Sequence, residues 1–181
     1  GTPLSCAHAT GAGGSAGFNK PTGIGIFGTT LRVVEFTGKR IDTVDTADGN
    51  MQLLAGTGDM GFLDGHSDTA MFHNPYYCDV DSAGNTFVGD RYNKAVRKVT
   101  TAGFTTTVAG TGAAGQVDGD GGTAQFQFLR HLAVDARGDL YVTDLTRVVR
   151  VTTPDDFATI SAVTIVAGFG TLRSVAVSPT G

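Results

Sequence analysis

Val108-Ala109-Gly110-Thr111-Gly112 decides the fold, because the chain has already written it once, 54 positions earlier, as Leu54-Ala55-Gly56-Thr57-Gly58. The same offset carries Asp64-Gly65 to Asp118-Gly119, Phe72 to Phe126, Val80-Asp81 to Val134-Asp135, Gly84 to Gly138 and Asp90 to Asp144. Run backwards, it takes Phe72 to Phe18, Ala70 to Ala16 and Pro75 to Pro21, and Val166-Ala167-Gly168 begins a further copy. Agreement at so many positions marks a repeat protein, and a repeat governs the whole architecture.

Within each copy the apolar residues run in short stretches split by turn residues. Leu132-Ala133-Val134-Asp135 is followed by the turn Ala136-Arg137-Gly138-Asp139 and by Leu140-Tyr141-Val142-Thr143-Asp144. Val148-Val149-Arg150-Val151 and Ala162-Val163-Thr164-Ile165-Val166 supply a third and a fourth stretch. Strands of this length, rich in Val, Ile, Thr and aromatics and separated by Gly, Asn or Asp, predict hairpins. No window sustains the 3.6-residue apolar period of a helix. Four antiparallel strands per repeat is the unit of a β-propeller, so the sequence predicts an all-β chain.

The string from Val108 through Asp118-Gly119-Asp120-Gly121, Ala124, Phe126, Leu132-Ala133-Val134-Asp135, Tyr141-Val142-Thr143-Asp144 and Arg150 resembles an NHL repeat. The copy from Leu54 to Val99 resembles it too, down to Pro75, Asn93 and Val99. The first copy departs on its second strand, where the usual Asp is replaced by Glu35 or Phe36, depending on a one-residue slip. The resemblance implies NHL-type four-stranded blades at about 21–55, 76–110 and 130–168, an outer strand at 2–6 and an innermost strand of a next blade at 173–178. That is about three blades plus parts of a fourth. It leads to the expectation of part of a six-bladed ring, either joined to a longer parent chain or completed by a second half-propeller.

Composition narrows the function. The 181 residues include 27 glycines, about twice the usual ~7%, and 17% are charged, below the usual ~25%. A net charge of −4 argues against nucleic acid as a partner, and no apolar run is long enough for a membrane-spanning helix. Low Lys content and Thr/Gly-rich strands suit an extracellular or cell-surface setting. Four histidines, His8, His66, His73 and His131, show no metal-ligand spacing, and no catalytic residue is assigned.

Ligands meet propellers at the loops leading into the innermost strands. Those positions are Thr22, Tyr76, Tyr77, Arg130, His131 and Arg173, and Tyr and Arg are the residue types that most often carry binding energy. The expected function is a non-catalytic scaffold that binds a protein or peptide through this rim. The alternative is a metal-dependent hydrolase or lyase of propeller fold, with its ligands expected partly in a missing half. Asp118 and Asp120 are the candidates for calcium, because they alternate with glycine as in a calcium loop, but the third ligand and terminal Glu of an EF-hand are missing. No other cofactor is expected.

Four further expectations follow. Asp81, Asp90, Asp135 and Asp144 recur once per repeat and should cap backbone N–H groups. Arg97, Lys98 and Arg150 alternate with valines and should form a solvated face. Phe18, Phe72 and Phe126 should be buried between blades. Cys78, on an innermost strand, and Cys6, on an outermost one, lie too far apart for a disulfide.

Overall fold

In a computed structural model, residues 9–12, 17–152, 160–168 and 170–178 are described, and within them every regular element is a strand. β1 (Pro21–Phe27), β2 (Thr30–Glu35), β3 (Arg40–Asp45) and β4 (Met51–Ala55) form the first antiparallel sheet. β5 (Tyr77–Val80), β6 (Thr86–Asp90), β7 (Ala95–Val99) and β8 (Thr105–Ala109) form the second. The third holds β10 (Leu129–Val134), β11 (Leu140–Asp144), β12 (Arg147–Thr152) and β13 (Ser161–Ala167), with the short β9 (Gly119–Asp120) added outside β13. The four main strands of each sheet form a meander in chain order, and β1, β5 and β10 lie side by side as the inner strands. The chain is a partial β-propeller of three four-stranded blades.

The repeat is as strict in the connectors as in the strands. Gly11 pairs with Met51, Gly65 with Thr105 and Gly119 with Ala162, so each connector runs along the outer strand of the blade it precedes. Register also settles the degenerate first copy. Val34 pairs with Gly23 as Gly89 pairs with Tyr77, which makes Glu35 the counterpart of Asp90 and Asp144. All three carboxylates cap the same loop: Glu35 accepts the Asn19 N–H, Asp90 the His73 N–H and Asp144 the Gln127 N–H, each at 2.8 Å. Asp81 and Asp135 cap the turns that follow the inner strands, accepting from Ala83 and Asn85 and from Arg137 and Asp139.

Two apolar cores lie between blades. One joins Val34, Ile41, Leu54, Phe72, Cys78, Val88 and Val99, and the other joins Phe87, Val96, Phe126, Leu129, Leu132, Leu140 and Val142. Phe72 and Phe126 are both 0% exposed. Phe18 differs from expectation in being only half-buried, lining an open cleft on the far face of blade 1. Its counterparts are covered because a blade packs on each side of them. The same difference separates Ile24, 57% exposed, from its counterparts Cys78 and Leu132, each 1%.

Arg97 corrects another expectation. It is fully buried, its guanidinium bound to Asp90 at 2.8 Å, Asp64 at 2.7 Å and the carbonyls of Leu63 and Met71. Arg147 does the same work in blade 3, bound to Asp144, Asp118 and the Gln125 carbonyl. A charge alternating with valines is buried here because a carboxylate from the connector meets it and satisfies its donors. Arg150 is exposed, and Lys98 is half-buried with its ammonium 5.9 Å from the Phe87 ring centroid.

Residues 171–178 form no strand, although 173–178 was expected to be an innermost one. A strand needs a neighbour to complete its hydrogen bonds, and no ladder reaches this segment among the described residues. The outer strand expected at 2–6, and Cys6 with it, lie outside the described residues. Cys78 is a free, buried thiol, pushed well above the usual thiol range by burial and the Asp79 charge.

Candidate functional site

The residues leading into the inner strands are set by a distortion common to blades 1 and 3. Pairing shifts between Pro21 and Gly23 and between Leu129 and His131, so Thr22 and Arg130 are bulged residues. A bulge takes one residue out of the ladder and re-aims its side chain. Tyr76, at the same place in blade 2, stands just ahead of β5 and donates its N–H to the Gly89 carbonyl at 2.9 Å. Side chains of successive residues in a strand point to opposite faces, so the rim divides into two groups.

The first group holds Tyr77 and His131, which the bulged Thr22 adjoins through the cleft it lines with Tyr77. The Tyr77 and His131 rings stack at 3.6 Å between centroids, with 37° between planes. β1 and β5 meet so closely here that a Cβ on Gly23 would lie 2.8 Å from the Tyr77 Cα, so no larger residue fits. Tyr77 and Thr22 line the open apolar cleft of about 420 Å³ on blade 1, together with Phe18, Ile24 and Leu31. Burial lowers the affinity of the His131 imidazole for a proton, with the Asp79 charge opposing, and burial raises the Tyr77 hydroxyl. Among the described residues, Thr22 Oγ1 and His131 Nδ1 are buried without a hydrogen-bond partner.

The second group is larger than the sequence suggested. Tyr76 meets Arg91, whose guanidinium carbon lies 4.6 Å from the Tyr76 centroid and 4.0 Å from that of Phe128. Arg130 lies 4.8 Å from the same Phe128 ring. On the other side, Tyr76 meets Phe36 edge-on at 5.9 Å, and the Lys20 ammonium stands 4.7 Å above Phe36. Cations and aromatic rings thus run from Lys20 through Phe36, Tyr76, Arg91 and Phe128 to Arg130, spanning all three blades. Lys20, Phe36, Arg91 and Phe128 were missed. They occupy two repeat positions, Lys20/Asn74/Phe128 and Phe36/Arg91/Leu145, whose identity changes from blade to blade. That change was the available signal.

The remaining candidates lie apart. Arg173 is exposed, and its neighbour Leu172 donates to the Leu145 carbonyl at 2.9 Å. Asp118 directs both oxygens at protein donors: Oδ1 accepts from Arg147 and from the Thr164 hydroxyl, and Oδ2 from the Thr164 N–H. Asp120 accepts from the Gly122 N–H and the Thr123 hydroxyl. Among the described residues no three His, Cys, Asp or Glu side chains gather within reach of one metal ion.

Among solved structures, the chain is similar to an auxiliary nutrient binding protein from Bacteroides thetaiotaomicron, at TM-score 0.62 and 20% identity over 82% of this chain and 37% of that one. It is similar to a catalytically inactive His-to-Ala variant of virginiamycin B lyase from Staphylococcus aureus bound to quinupristin, at TM-score 0.57 and 16% identity over 86% and 45%. A nidogen/laminin complex matches at TM-score 0.61 and 17% identity over 87% and 52%. These are propeller-like proteins, and likeness at such identities shows the fold alone. The chain spans about half or less of the length of each. No family model and no curated protein matches the sequence.

Proposed function

We propose that the chain belongs to an NHL-type propeller that binds a protein or peptide through its channel-mouth rim, without catalysing a reaction. One observation carries the reading: Lys20, Phe36, Tyr76, Arg91, Phe128 and Arg130 form a solvent-accessible row of cations and rings. Tyr and Arg anchor interfaces because they present large, rigid or planar surfaces with polar edges. The 54-residue repeat supports the NHL assignment, and neighbours that include a nutrient-binding protein and nidogen in complex with laminin support a binding role. Asp118 and Asp120, in this reading, hold connectors against outer strands and bind no metal. An extracellular or cell-surface setting accompanies it.

The test is selection of binders from a displayed random-peptide library, followed by binding to Tyr76→Ala, Tyr77→Ala and His131→Ala proteins. Selected peptides should lose about tenfold or more in affinity on at least one of these, the usual size of an interface anchor. Peptides that bind these three variants, and Arg91→Gln and Arg130→Gln as well, as they bind the parent place the contact elsewhere and end the proposal.

A second reading rests on His131. A half-buried imidazole whose proton affinity is lowered by burial, with an unpartnered Nδ1, offers a lone pair of the kind a lyase or hydrolase uses as a base. The similar lyase is inactive with a single histidine replaced by alanine. Incubation with quinupristin and divalent cations, followed by mass spectrometry, tests it. Turnover abolished by His131→Ala would establish this reading over the first.

A further inference from the structure

Arg91 and Arg130 share one aromatic ring, and among the described residues no acid answers them. Both guanidinium carbons lie within 5 Å of the Phe128 centroid, at 4.0 and 4.8 Å, so the two cannot be farther apart than the sum of those distances. Like charges held this close repel unless something compensates. Among the described residues, neither side chain makes an ion pair or a hydrogen bond, and the Nε of each is buried without a partner. The carboxylates that end β6 and β11 are turned inward. Asp90, beside Arg91, is fully buried on Arg97, Asn93 and the His73 N–H. Asp144, at the matching place in blade 3, is buried on Arg147 and Gln127.

Stacking occupies the faces of a guanidinium and leaves its N–H edges available in the plane. Those edges form a rigid fork that matches a carboxylate, and ring contacts restrict its direction. Tyr76 and Phe128 hold Arg91 this way, and Phe128 does so for Arg130.

We propose that Arg91 and Arg130 form a paired carboxylate-binding site that recognises an acidic segment of a partner peptide. The proposal rests on the rim-binding reading above and names the partner's chemistry. In an extended peptide, side chains two residues apart share a face at roughly 7 Å. That spacing is within the limit set by the two guanidiniums, so the segment it selects is acid–any–acid. Lys20, at the far end of the row, adds a third positive charge for a longer acidic run. The chain as a whole carries −4, so this rim is a local reversal of sign that an acidic peptide senses at short range.

The experiment is fluorescence anisotropy with a labelled peptide of alternating Glu and Gly, and its Gln counterpart, on the purified chain. The Glu peptide should bind at least about tenfold more tightly than the Gln peptide, the size of one or two charge-assisted hydrogen bonds. Arg91→Gln and Arg130→Gln should each remove most of that preference. Arg91→Lys should lose part of it, since an ammonium keeps the charge without the fork. Arg150→Gln, exposed and outside the row, should change nothing. Thermal melting checks that each variant folds. If the Gln variants do not, the Glu-over-Gln preference and Arg91→Lys decide the matter. Equal binding of the two peptides, an unchanged preference in folded Arg91→Gln and Arg130→Gln, or tighter binding of an oligouridine RNA would overturn the proposal. Library-selected peptides that depend on Tyr77 and His131 but carry no acids would sink this inference alone and leave the rim-binding reading standing.

Discussion

Blade 1 and blade 2 place a carboxylate at the same point and surround it differently. In blade 2, Asp90 ends β6 and its charge is met by Arg97 from β7. Pairing puts Asp42 at the position of Arg97, because Val33 faces Asp42 as Val88 faces Arg97. Beside Glu35, therefore, blade 1 has a second buried acid where blade 2 has a guanidinium. Burial first, then the Glu35 charge, pushes the Asp42 carboxyl up to about 8, against an opposing pull from Arg40. Blade 3 gives a third solution: Arg147 reaches Asp144 from the position that Arg40 holds in blade 1, two residues from that of Arg97. The repeat fixes where the capping carboxylate sits, and leaves open which side chain balances it.

The comparison is most exposed to failure at Arg97. Removing one member of a fully buried ion pair strands the other, at a cost of ~3–5 kcal/mol. Arg97→Met should therefore lower stability by about that amount in chemical denaturation. Arg40→Met should cost much less, since the Arg40 guanidinium donates to the Thr57 carbonyl at 2.7 Å in a half-buried setting. Equal costs would mean that the two blades are not as different as their geometry.

Phe126 and Phe18 sharpen the same contrast through packing. Phe126→Ala should cost ~3–5 kcal/mol, because a fully buried ring leaves a cavity. Phe18→Ala, half-buried on the open cleft, should cost well under half of that. A comparable loss at Phe18 would show that its ring is covered in solution.

Asp42 supplies the pH test. Its carboxyl titrates at about 8 in the folded chain and at ~3.9 when unfolded, so the folded state holds the proton across that window. Its contribution is fully present below pH ~4, declines by up to ~1.4 kcal/mol per pH unit above it, and is gone above about pH 8. Asp42→Asn should flatten this fall between pH 5 and 8. A variant that keeps the parent's slope would assign the titration to another group.

How much of this the sequence disclosed depends on the range of the interaction. The 54-residue offset, the capping role of Asp90 and Asp144 and the inward Cys78 follow from local pattern and alignment. The burial of Arg97 does not, since Val96-Arg97-Lys98-Val99 alternates like a solvated strand and its partner Asp64 lies 33 residues away. Arg147 is concealed further by its different register. The cation–ring row escaped for another reason. It is assembled across blades from positions that differ between repeats, and attention to the two residues ahead of each inner strand found only Tyr76 and Arg130.

The smallest expected effect is at Cys78, where the two inter-blade cores can be compared residue for residue. Cys78 sits between blades 1 and 2 as its counterpart Leu132 sits between blades 2 and 3, both 1% exposed. The thiol Sγ lies 3.7 Å from the Arg32 carbonyl, a weak contact, so the side chain acts chiefly as a small apolar filler. Cys78→Val keeps nearly the same volume and should change stability by less than ~1.5 kcal/mol. The buried thiol holds its proton far above neutral pH, and only the thiolate reacts. Alkylation at neutral pH should therefore leave Cys78 unmodified in the folded chain and modify it after denaturation. Mass spectrometry under non-reducing conditions completes the test, because an intrachain peptide joining Cys78 to Cys6 would contradict the free thiol and the blade assignment that rests on it.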